Sequence, residues 1–424
     1  MNSGPKPEHP SQVLIVGGGI IGLCVAYSAA EKGFTVTLID HNGCPGAASG
    51  GNAGLIVPSR CKPLPSPQTL LAGLGSLLLP GGPFTVSFRP ELGLFSWLLR
   101  FISSSRRSRF EPSREILLHL GRQSLHLYNR WLARPSSGPP LRLDGILFPY
   151  FSRKRFEEAR KEADHLGSWG VASRILSPRE ACEAEPALSR KLAGAILKEN
   201  EGFVDPAQLL DWLKEEVRSL GVAILEGVEV LWLQEARDRS PASVVTTQGE
   251  LQGRQIVVAA GARSRQLLKS LGIRLPLQEG KGYSLSLPLI PRPITRPVLA
   301  EEAHLAMTPL QDGLRVTGML ELSGPDTSVQ PKRLQGIMEQ ARRCLPELGQ
   351  PQKQLIWRGF RPCTPDGLPL VGRLRRWPNL WIATGHANLG LTLGPATGRL
   401  LADMLAGTSP HSAAAALSPE RFRL

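Results

Sequence analysis

The chain has 424 residues, of which 42% are apolar, 20% charged and 6% aromatic, with 44 glycines and 37 prolines. Periodic apolar segments that recur to the end exclude a disordered chain, the lack of a G-X-Y period excludes a collagenous one, and no apolar run reaches the 18 or so residues of a membrane span. Lys+Arg 50 against Asp+Glu 36 gives a charge of +14, but the basic residues are dispersed. No RNP-like aromatic run or zinc-finger spacing accompanies them, so nucleic acid is not an expected partner.

A polar, Pro-rich lead runs directly into Val13–Val16, a short β-branched strand, without the basic-then-apolar order of a secretion signal; a cytosolic chain is expected. The six cysteines form no CxxC pair and demand neither a disulfide nor a metal. Gly17-Gly18-Gly19-Ile20-Ile21-Gly22 follows the strand, then a helical pattern through Ala30 that stops at Gly33, then a strand Phe34–Ile39 closed by Asp40. Together these make a βαβ unit. Residues 41–67 read as a Gly- and Pro-rich loop, and Leu70–Ile102 as apolar but broken. Residues 113–132 predict a helix with Ser113 as N-cap and Ile116, Leu120, Leu127 and Trp131 along one side. Phe156–Leu166 and Pro178–Ala184 read as further helices, and Asp205-Pro206 opens another that Gly221 stops. Strands are expected at Val222–Leu225, Val228–Leu233, Val244–Thr247 and Ile256–Ala260, with more in 283–320 and a helix over 331–345. The chain closes with a strand Leu380–Thr384, a Gly-rich loop and a helix to Leu405.

Gly17, Gly19 and Gly22 between strand and helix point to a dinucleotide: a tight turn, close backbone approach to a pyrophosphate, and a helix N-terminus aimed at it. Asp40, eighteen residues after Gly22, would accept a hydrogen bond from an unphosphorylated ribose. The plain reading is a Gly-rich turn. The second strand–Gly-loop–helix unit, Trp381 to Gly390 and onward, argues for a flavin over a nicotinamide. A flavin ring lies far from its adenine and needs a second support, where the helix from about Leu391 would present its positive end; the bland alternative is a packing helix. In Arg361-Pro362-Cys363-Thr364-Pro365-Asp366-Gly367, the Pro-Asp-Gly run is turn chemistry, so Asp366 reads as structural. Arg361 offers a planar fork suited to a substrate carboxylate, against the plainer reading of a surface arginine.

The N-terminal GGGIIG, the loop Ser49-Gly50-Gly51-Asn52-Ala53-Gly54, the run Lys281-Gly282-Tyr283-Ser284-Leu285, the RPCTPDG segment and the terminal TGHANLGLT occur in order between residue 13 and about 408. Together they resemble the FAD-dependent D-amino acid oxidase superfamily, and are most similar to its bacterial D-amino acid dehydrogenases and their D-proline/D-hydroxyproline-oxidising relatives. Residues 61–200 match in length and character more than in motif. An α/β (mixed α+β) fold is expected, with a Rossmann-like FAD-binding domain of 11–60, 195–275 and 360–408. A mixed-sheet substrate domain of 61–194 and 276–359 is interleaved with it, and 1–10 and 409–424 are tails. The resemblance implies non-covalent FAD and oxidation of a D-amino acid or cyclic imino acid to the imine by hydride transfer to flavin N5. Electrons would pass to a quinone or another respiratory acceptor. The rival readings are an oxidase of the same fold using O₂, a nicotinamide-linked dehydrogenase, and a non-catalytic flavin-binding subunit of a membrane-associated complex.

The resemblance also implies site residues. Arg361 corresponds to the carboxylate-binding arginine, with Tyr283 and His386 near the reactive side; their plainer readings are a core aromatic and a backbone satisfier. FAD is expected along Gly17, Gly19, Ile20, Ile21, Gly22, Asp40, His41, Ala48, Ser49, Asn52, Ala53, Gly54, Leu55, Val230, Ala260 and Gly261, and along Gly385, Asn388, Leu389, Gly390, Leu391 and Thr392. Two positions depart from relatives: Asn388 stands where glycine oxidases carry a second arginine, and Gly359 where covalent sarcosine oxidases carry the flavin-linking cysteine. Finally Trp97, Leu98, Leu99, Phe101 and Ile102, flanked by Arg100, Arg106 and Arg107, resemble an interfacial anchor for peripheral contact with the inner face of the cell membrane. The alternative is an ordinary core helix with solvated charge.

Overall fold

Two sheets organise the chain, and the opening βαβ unit seeds the first of them. The computed structural model describes residues 11–424 apart from 42–47, 68, 71–83, 87–91, 134–137, 235–242, 289, 312, 325, 352 and 409–412. Most of the apolar stretch 70–91, the lead 1–10 and part of the C-terminal tail therefore lie outside the described residues. Strand Ser11–Val16, helix Ile20–Glu31 and strand Val36–Asp40 form the expected unit, with Val13 beside Val36 in a parallel pair. The strand Gly253–Val258 joins on the other side of the first, followed by Leu380–Thr384 and an antiparallel edge strand Leu370–Arg373; Ala223–Glu226 forms the opposite edge. Runs such as Val13-Leu14-Ile15-Val16 are apolar throughout because both faces of this sheet are covered. Helices Ile20–Glu31, Pro206–Ser219 and Gly390–Leu405 pack on one face; the helix Ser264–Lys269 and a three-stranded antiparallel sheet cover the other.

The helix expected over 113–132 begins six residues earlier and spans Arg107–Leu132, so Ser113 is not its cap. The first turn closes ahead of the proline, with the N–H groups of Arg109 and Phe110 both bonded to the Arg106 carbonyl. Pro112 then falls early enough that its missing N–H leaves only the carbonyl of exposed Ser108 without a helical partner. Other starts follow the expected chemistry: Asp205 caps its helix through Oδ1 to the N–H groups of Ala207 and Gln208, at 2.9 and 3.2 Å.

Among the described residues the second sheet has nine strands. Gln278–Leu287 lies between Leu355–Cys363 and Gly313–Leu322, antiparallel to both. The sheet continues through Leu305–Leu310, Val298–Ala300, Ile146–Tyr150, Gly194–Lys198 and Ser173–Leu176, and Phe84–Val86 pairs with the end of Gly313–Leu322. Strand alternation gives its two faces different work. Tyr283, Leu285 and Leu287 pack against Ile337, Met338 and Ala341 of helix Pro331–Cys344. Gly280, Gly282 and Ser284, with Trp357, Gly359 and Arg361 on the neighbouring strand, form the opposite face, turned toward the loop that follows the first two strands. The interleaving is deeper than linear boundaries convey. Leu117, Leu120, Tyr128 and Trp131 of helix Arg107–Leu132 share the core of the six-stranded sheet, and strands Gly194–Lys198 and Leu355–Cys363 both belong to the nine-stranded one.

Candidate active site

The glycine turn leaves the first strand at its carboxyl end, the edge where open α/β sheets bind ligands. Gly17 has φ +111°, and a Cβ there would stand 2.6 Å from the Ala259 carbonyl oxygen and 2.9 Å from the Ala260 Cα. A Cβ on Gly22 would run into the Gly17 carbonyl. These glycines let the turn pack closely on the neighbouring strand and the helix pack closely on the turn. Gly19 is the N-cap of the helix beginning Ile20-Ile21-Gly22, with no capping side chain and no acid in the first turn, which leaves its positive end suited to an anion. The Ile20 N–H donates to Ser49 Oγ at 3.1 Å. Asp40, expected to meet a ribose, accepts the Gly18 N–H on Oδ2 at 2.6 Å, so its carboxylate also ties the second strand to the turn. Exposed His41 stands 3.9 Å from the Glu229 carboxylate, which pairs with Arg263 at 2.5 Å. Buried Val230 lies just beyond Glu229, and the Gly261 carbonyl accepts from Thr384 Oγ1 at 2.8 Å.

The loop carrying Ala48, Ser49, Asn52, Ala53, Gly54 and Leu55 is held from both ends of the chain. Asn52 Oδ1 accepts the Gly54 N–H at 2.9 Å, and Thr392 Oγ1 donates to the Leu55 carbonyl at 3.1 Å. Thr392 sits in the first turn of helix Gly390–Leu405, whose N-cap Leu389 brings no capping side chain and whose first turn holds no acid. Pro395 lacks an N–H, so the Leu391 carbonyl has no helical partner; Tyr128 OH supplies one at 2.8 Å. Ser124 Oγ accepts the Ala396 N–H at 3.0 Å, so the helix Arg107–Leu132 braces the closing helix at two points. This closing helix lies against the opening one: a Cβ on Gly390 would stand 3.6 Å from Ile20 Cγ2, and one on Gly394 3.1 Å from Cys24 Sγ. Two helix N-termini from opposite ends of the chain therefore sit side by side. Gly385 turns beneath them at φ +83°, beside Thr364, and Asn388 is exposed.

Arg361 reaches this arrangement from the nine-stranded sheet. It is half-buried, its guanidinium lies over Gly282, and a Cβ on Gly282 would collide with it. Nη1 donates to the Met319 carbonyl at 2.5 Å. Met319 occupies a bulge in its strand at φ +64°, which turns that carbonyl toward the guanidinium. Among the described residues no carboxylate pairs with Arg361, and burial pulls its guanidinium down from its usual range. A desolvated, unpaired cation backed by one carbonyl is prepared for an incoming carboxylate. Arg315, on the same face, donates from Nη1 to the carbonyls of Gly50 and Asn52 at 3.0 and 3.1 Å, which clamps the loop to the sheet.

Two expected neighbours of Arg361 are placed differently. Tyr283 is on the opposite face: adjacent strand residues point opposite ways, and since Gly282 lies under Arg361, Tyr283 must point into the core beneath helix Pro331–Cys344. Its hydroxyl is 3.4 Å from Glu321 Oε2. The expectation that it lies near the reactive side is corrected, and the plainer reading of a core aromatic is the one the packing fits. His386 lies close to the site, bridged through its backbone to Cys363, but Nε2 is engaged by Thr397 Oγ1 at 3.0 Å and burial pulls the imidazole down to about 3. It is a neutral brace for the closing helix. Asp366 pairs with Arg421 in a two-point contact of 2.7 and 3.1 Å, the structural part expected of it. Unforeseen in sequence are Met319, Arg315 and Trp357, whose indole lies against Gly51 and Gly359.

A cradle built from both ends of the chain faces a sheet whose Arg361 has no carboxylate partner among the described residues, an arrangement of the dinucleotide-binding flavoenzyme class. The chain belongs to the FAD dependent oxidoreductase family, whose profile matches residues 12–404, and it is an FAD-dependent enzyme. It is 30% identical over 398 residues to a D-amino acid dehydrogenase of Helicobacter pylori, covering 93% of this chain and 94% of that one. Among solved structures, it resembles glycine oxidase from Geobacillus kaustophilus with TM-score 0.77 at 22% identity, over 97% of this chain and 99% of that one. It also resembles L-proline dehydrogenase from P. horikoshii with TM-score 0.73 at 19% identity, over 98% of each. These two likenesses are of fold.

Proposed function

We propose that the protein dehydrogenates a D-amino acid or a cyclic imino acid to its imine and passes the electrons to a quinone-type acceptor. The observation that carries this reading is Arg361: half-buried, backed by Met319 and without a carboxylate partner among the described residues. A substrate carboxylate clamped there is oriented against the loop 48–55, and such positioning removes several kcal/mol of barrier, roughly 7–11 at best. FAD, when bound, supplies the two-electron acceptor. The residues proposed to hold it are the turn Gly17–Gly22, Asp40, the loop around Ser49 and Asn52, and the two adjacent helix N-termini; the acid-free first turns of those helices fit its phosphates and ring. With Gly359 at the position of the linking cysteine in covalent relatives, the flavin is proposed to be non-covalent. No side-chain base is assigned: His386 is engaged and Tyr283 faces away. A substrate entering with a neutral amine has no need of one.

The two sheets support a division into an FAD lobe and a substrate lobe, with the helix Arg107–Leu132 counted with the former. The decisive experiment is an anaerobic panel of D- and L-amino acids with proline and hydroxyprolines, read as bleaching of the bound flavin. Bleaching by none of them overturns the proposal. The fold likeness to a glycine oxidase keeps the oxidase reading in view, and peroxide yield against quinone-dye reduction separates the two.

Contact with a membrane face is proposed for helix Leu92–Ser104. Its inner side, Leu94, Trp97 and Phe101, is buried, and Trp97 Nε1 donates to the Cys363 carbonyl at 3.1 Å. Its outer side exposes Phe95, Leu99 and Ile102 at 61, 54 and 54%, with exposed Arg106, Arg107 and Arg109 just beyond. Apolar residues flanked by arginines suit an anionic lipid surface. Among the described residues no helix is long and apolar enough to cross a membrane. Flotation with anionic but not zwitterionic vesicles, lost on changing Phe95 and Leu99 to Ser, is the expected result; equal flotation of both proteins overturns it.

A further inference from the structure

We propose that Arg315 is a positioning residue for the flavin: it fixes the loop 49–55 relative to Arg361 and sets the affinity and reduction potential of the bound cofactor. The inference rests on the reading of that loop as part of the FAD cradle and adds what ties the loop to the nine-stranded sheet.

Arg315 is half-buried on the strand Gly313–Leu322, opposite Ser286, whose Oγ accepts its Nε at 3.4 Å. Its Nη1 crosses to the loop and meets the carbonyls of Gly50 and Asn52 at 3.0 and 3.1 Å. Both carbonyls belong to a tight turn, closed by the Asn52 N–H on the Ser49 carbonyl at 3.2 Å. A trans peptide points its N–H opposite to its C=O. With those two carbonyls drawn to the sheet, the N–H groups of Gly51 and Ala53 face away from it. Neither has an acceptor among the described residues, whereas the Asn52 and Gly54 N–H groups between and beyond them are both engaged within the loop. Gly51 is buried, and a buried N–H without an acceptor is rare, which marks it as a donor kept for a ligand. A cation that donates to the carbonyl of a peptide polarises it and strengthens the N–H on its far side. Arg315 therefore acts twice, by holding the loop and by sharpening the donors that the loop turns outward.

The same strand carries the other half of the geometry. Four residues beyond Arg315, at most about 13 Å of strand, Met319 presents the carbonyl that accepts from Arg361 Nη1. Arg361 reaches it by crossing the intervening strand over Gly282. Loop and carboxylate anchor are thus referred to one element, itself paired on both sides with Gln278–Leu287 and Leu305–Leu310. Two further ties of the loop, Ser49 Oγ to the Ile20 N–H and the Leu55 carbonyl to Thr392 Oγ1, lead to the two cradle helices instead. Among the described residues, every hydrogen bond from the loop 49–55 to the nine-stranded sheet is made by Arg315.

The test compares the wild-type holoprotein with Arg315→Met, Arg315→Gln and Arg315→Lys, and with Lys281→Met, which removes a cation from the other face of the sheet. Two readouts need no substrate: the FAD dissociation constant, from flavin fluorescence released on dilution, and the midpoint potential of the bound flavin. Arg315→Met is expected to weaken binding of oxidised FAD by about tenfold. Donors backed by a cation favour the electron-richer reduced form, so that form should lose about tenfold more, which lowers the midpoint by about 30 mV. Arg315→Lys keeps the charge and should stay within about threefold and 15 mV of wild type, with Arg315→Gln between the two. The saturating rate of bleaching by the best substrate of the anaerobic panel should fall by about ten- to a hundredfold in Arg315→Met. The dissociation constant of acetate, read from the flavin absorbance, should stay within about twofold, because Arg361 keeps Met319. Lys281→Met should lose stability and move neither flavin readout. If the methionine variant does not fold, the glutamine variant answers in its place. Affinity within about twofold and a midpoint within about 10 mV of wild type, in a folded variant, overturn the proposal. Equal shifts in Lys281→Met overturn it too, since they trace the effect to stability alone. Failure of the underlying reading looks different: Asn52→Ala, inside the loop itself, would then leave FAD affinity unmoved. If no amino acid bleaches the wild-type flavin, affinity and potential still report on Arg315.

Discussion

The two faces of the nine-stranded sheet each hold a cation, Lys281 fully buried and Arg361 half-buried, and they treat it in opposite ways. On the helix side, Lys281 meets Asp326 at 2.8 Å and Glu321 at 3.4 Å, and Arg333 adds a third contact to Glu321 at 3.1 Å. On the loop side, eighty residues further along the chain and one strand away, Arg361 has a single carbonyl among the described residues. A buried charge is costly unless paired, so the face that keeps its charge unpaired is the face with a use for it. The largest break in this comparison is Arg361→Leu. Removing one partner of a desolvated charge pair costs 2–5 kcal/mol, and about 4 kcal/mol, roughly a thousandfold, is expected in kcat/KM with FAD still bound. A variant within about threefold of wild type would mean that the carboxylate is held elsewhere.

The mirror substitution, Lys281→Met, is expected to leave kcat/KM per folded molecule unchanged and to lower stability by about 3 kcal/mol. That is the lower end of the range for breaking a buried pair, because Arg333 still neutralises Glu321. Thermal or denaturant unfolding measures the loss. Unaltered stability with lost activity would exchange the roles of the two faces.

A third test uses pH, on the histidine that braces the loop-side face. His386 is neutral when folded, with burial pulling it down to about 3, against an ordinary value near 6.5. Between those values the unfolded chain binds the extra proton, so stability is full above about pH 6.5 and falls as pH drops toward 3. At 1.36 kcal/mol per unit the loss reaches about 2 kcal/mol by pH 5. His386→Gln, which can still bond Thr397, should flatten that acid limb; an acid limb as steep as that of wild type would place the titration elsewhere.

The cradle was legible in the sequence because each of its parts is local. Gly17, Gly19 and Gly22 follow a strand directly, Asp40 closes the next one, and the Gly-rich entry to the closing helix announces itself the same way. Arg361 was legible by its Pro-rich setting and by resemblance. What could not be read was which face each strand residue takes, since that depends on pairing across some eighty residues. Tyr283 and Gly282 are neighbours in sequence, and only the Gly282–Gly359 register shows that one lies under Arg361 and the other behind the sheet. Period-2 alternation along Trp357, Gly359 and Arg361 was available as a signal for Trp357, had Leu355–Cys363 been taken as a strand. The bulge at Met319 leaves no such trace, because its left-handed backbone falls on an ordinary residue. The early start of the helix Arg107–Leu132 was hidden for a related reason: Pro112 reads as a stop, yet it falls so early in the helix that its missing N–H affects only the carbonyl of exposed Ser108.

The smallest effect is the sharpest on placement. Tyr283→Phe removes one hydroxyl whose nearest carboxylate oxygen, on Glu321, is 3.4 Å away, at the long limit of a hydrogen bond. Glu321 keeps Lys281 and Arg333, so the loss should be at most about 1 kcal/mol of stability. The hydroxyl faces the helix Pro331–Cys344, so kcat/KM should stay within about twofold and substrate ranking should not move. A tyrosine that donated to the substrate carboxylate would behave otherwise: losing a hydrogen bond to a charged group costs about 1.5–3 kcal/mol, which raises KM or lowers kcat/KM by about ten- to a hundredfold. Measured beside Arg361→Leu, the phenylalanine variant asks whether a residue one step along a strand from the floor of the site shares its chemistry. Alternation says that it does not.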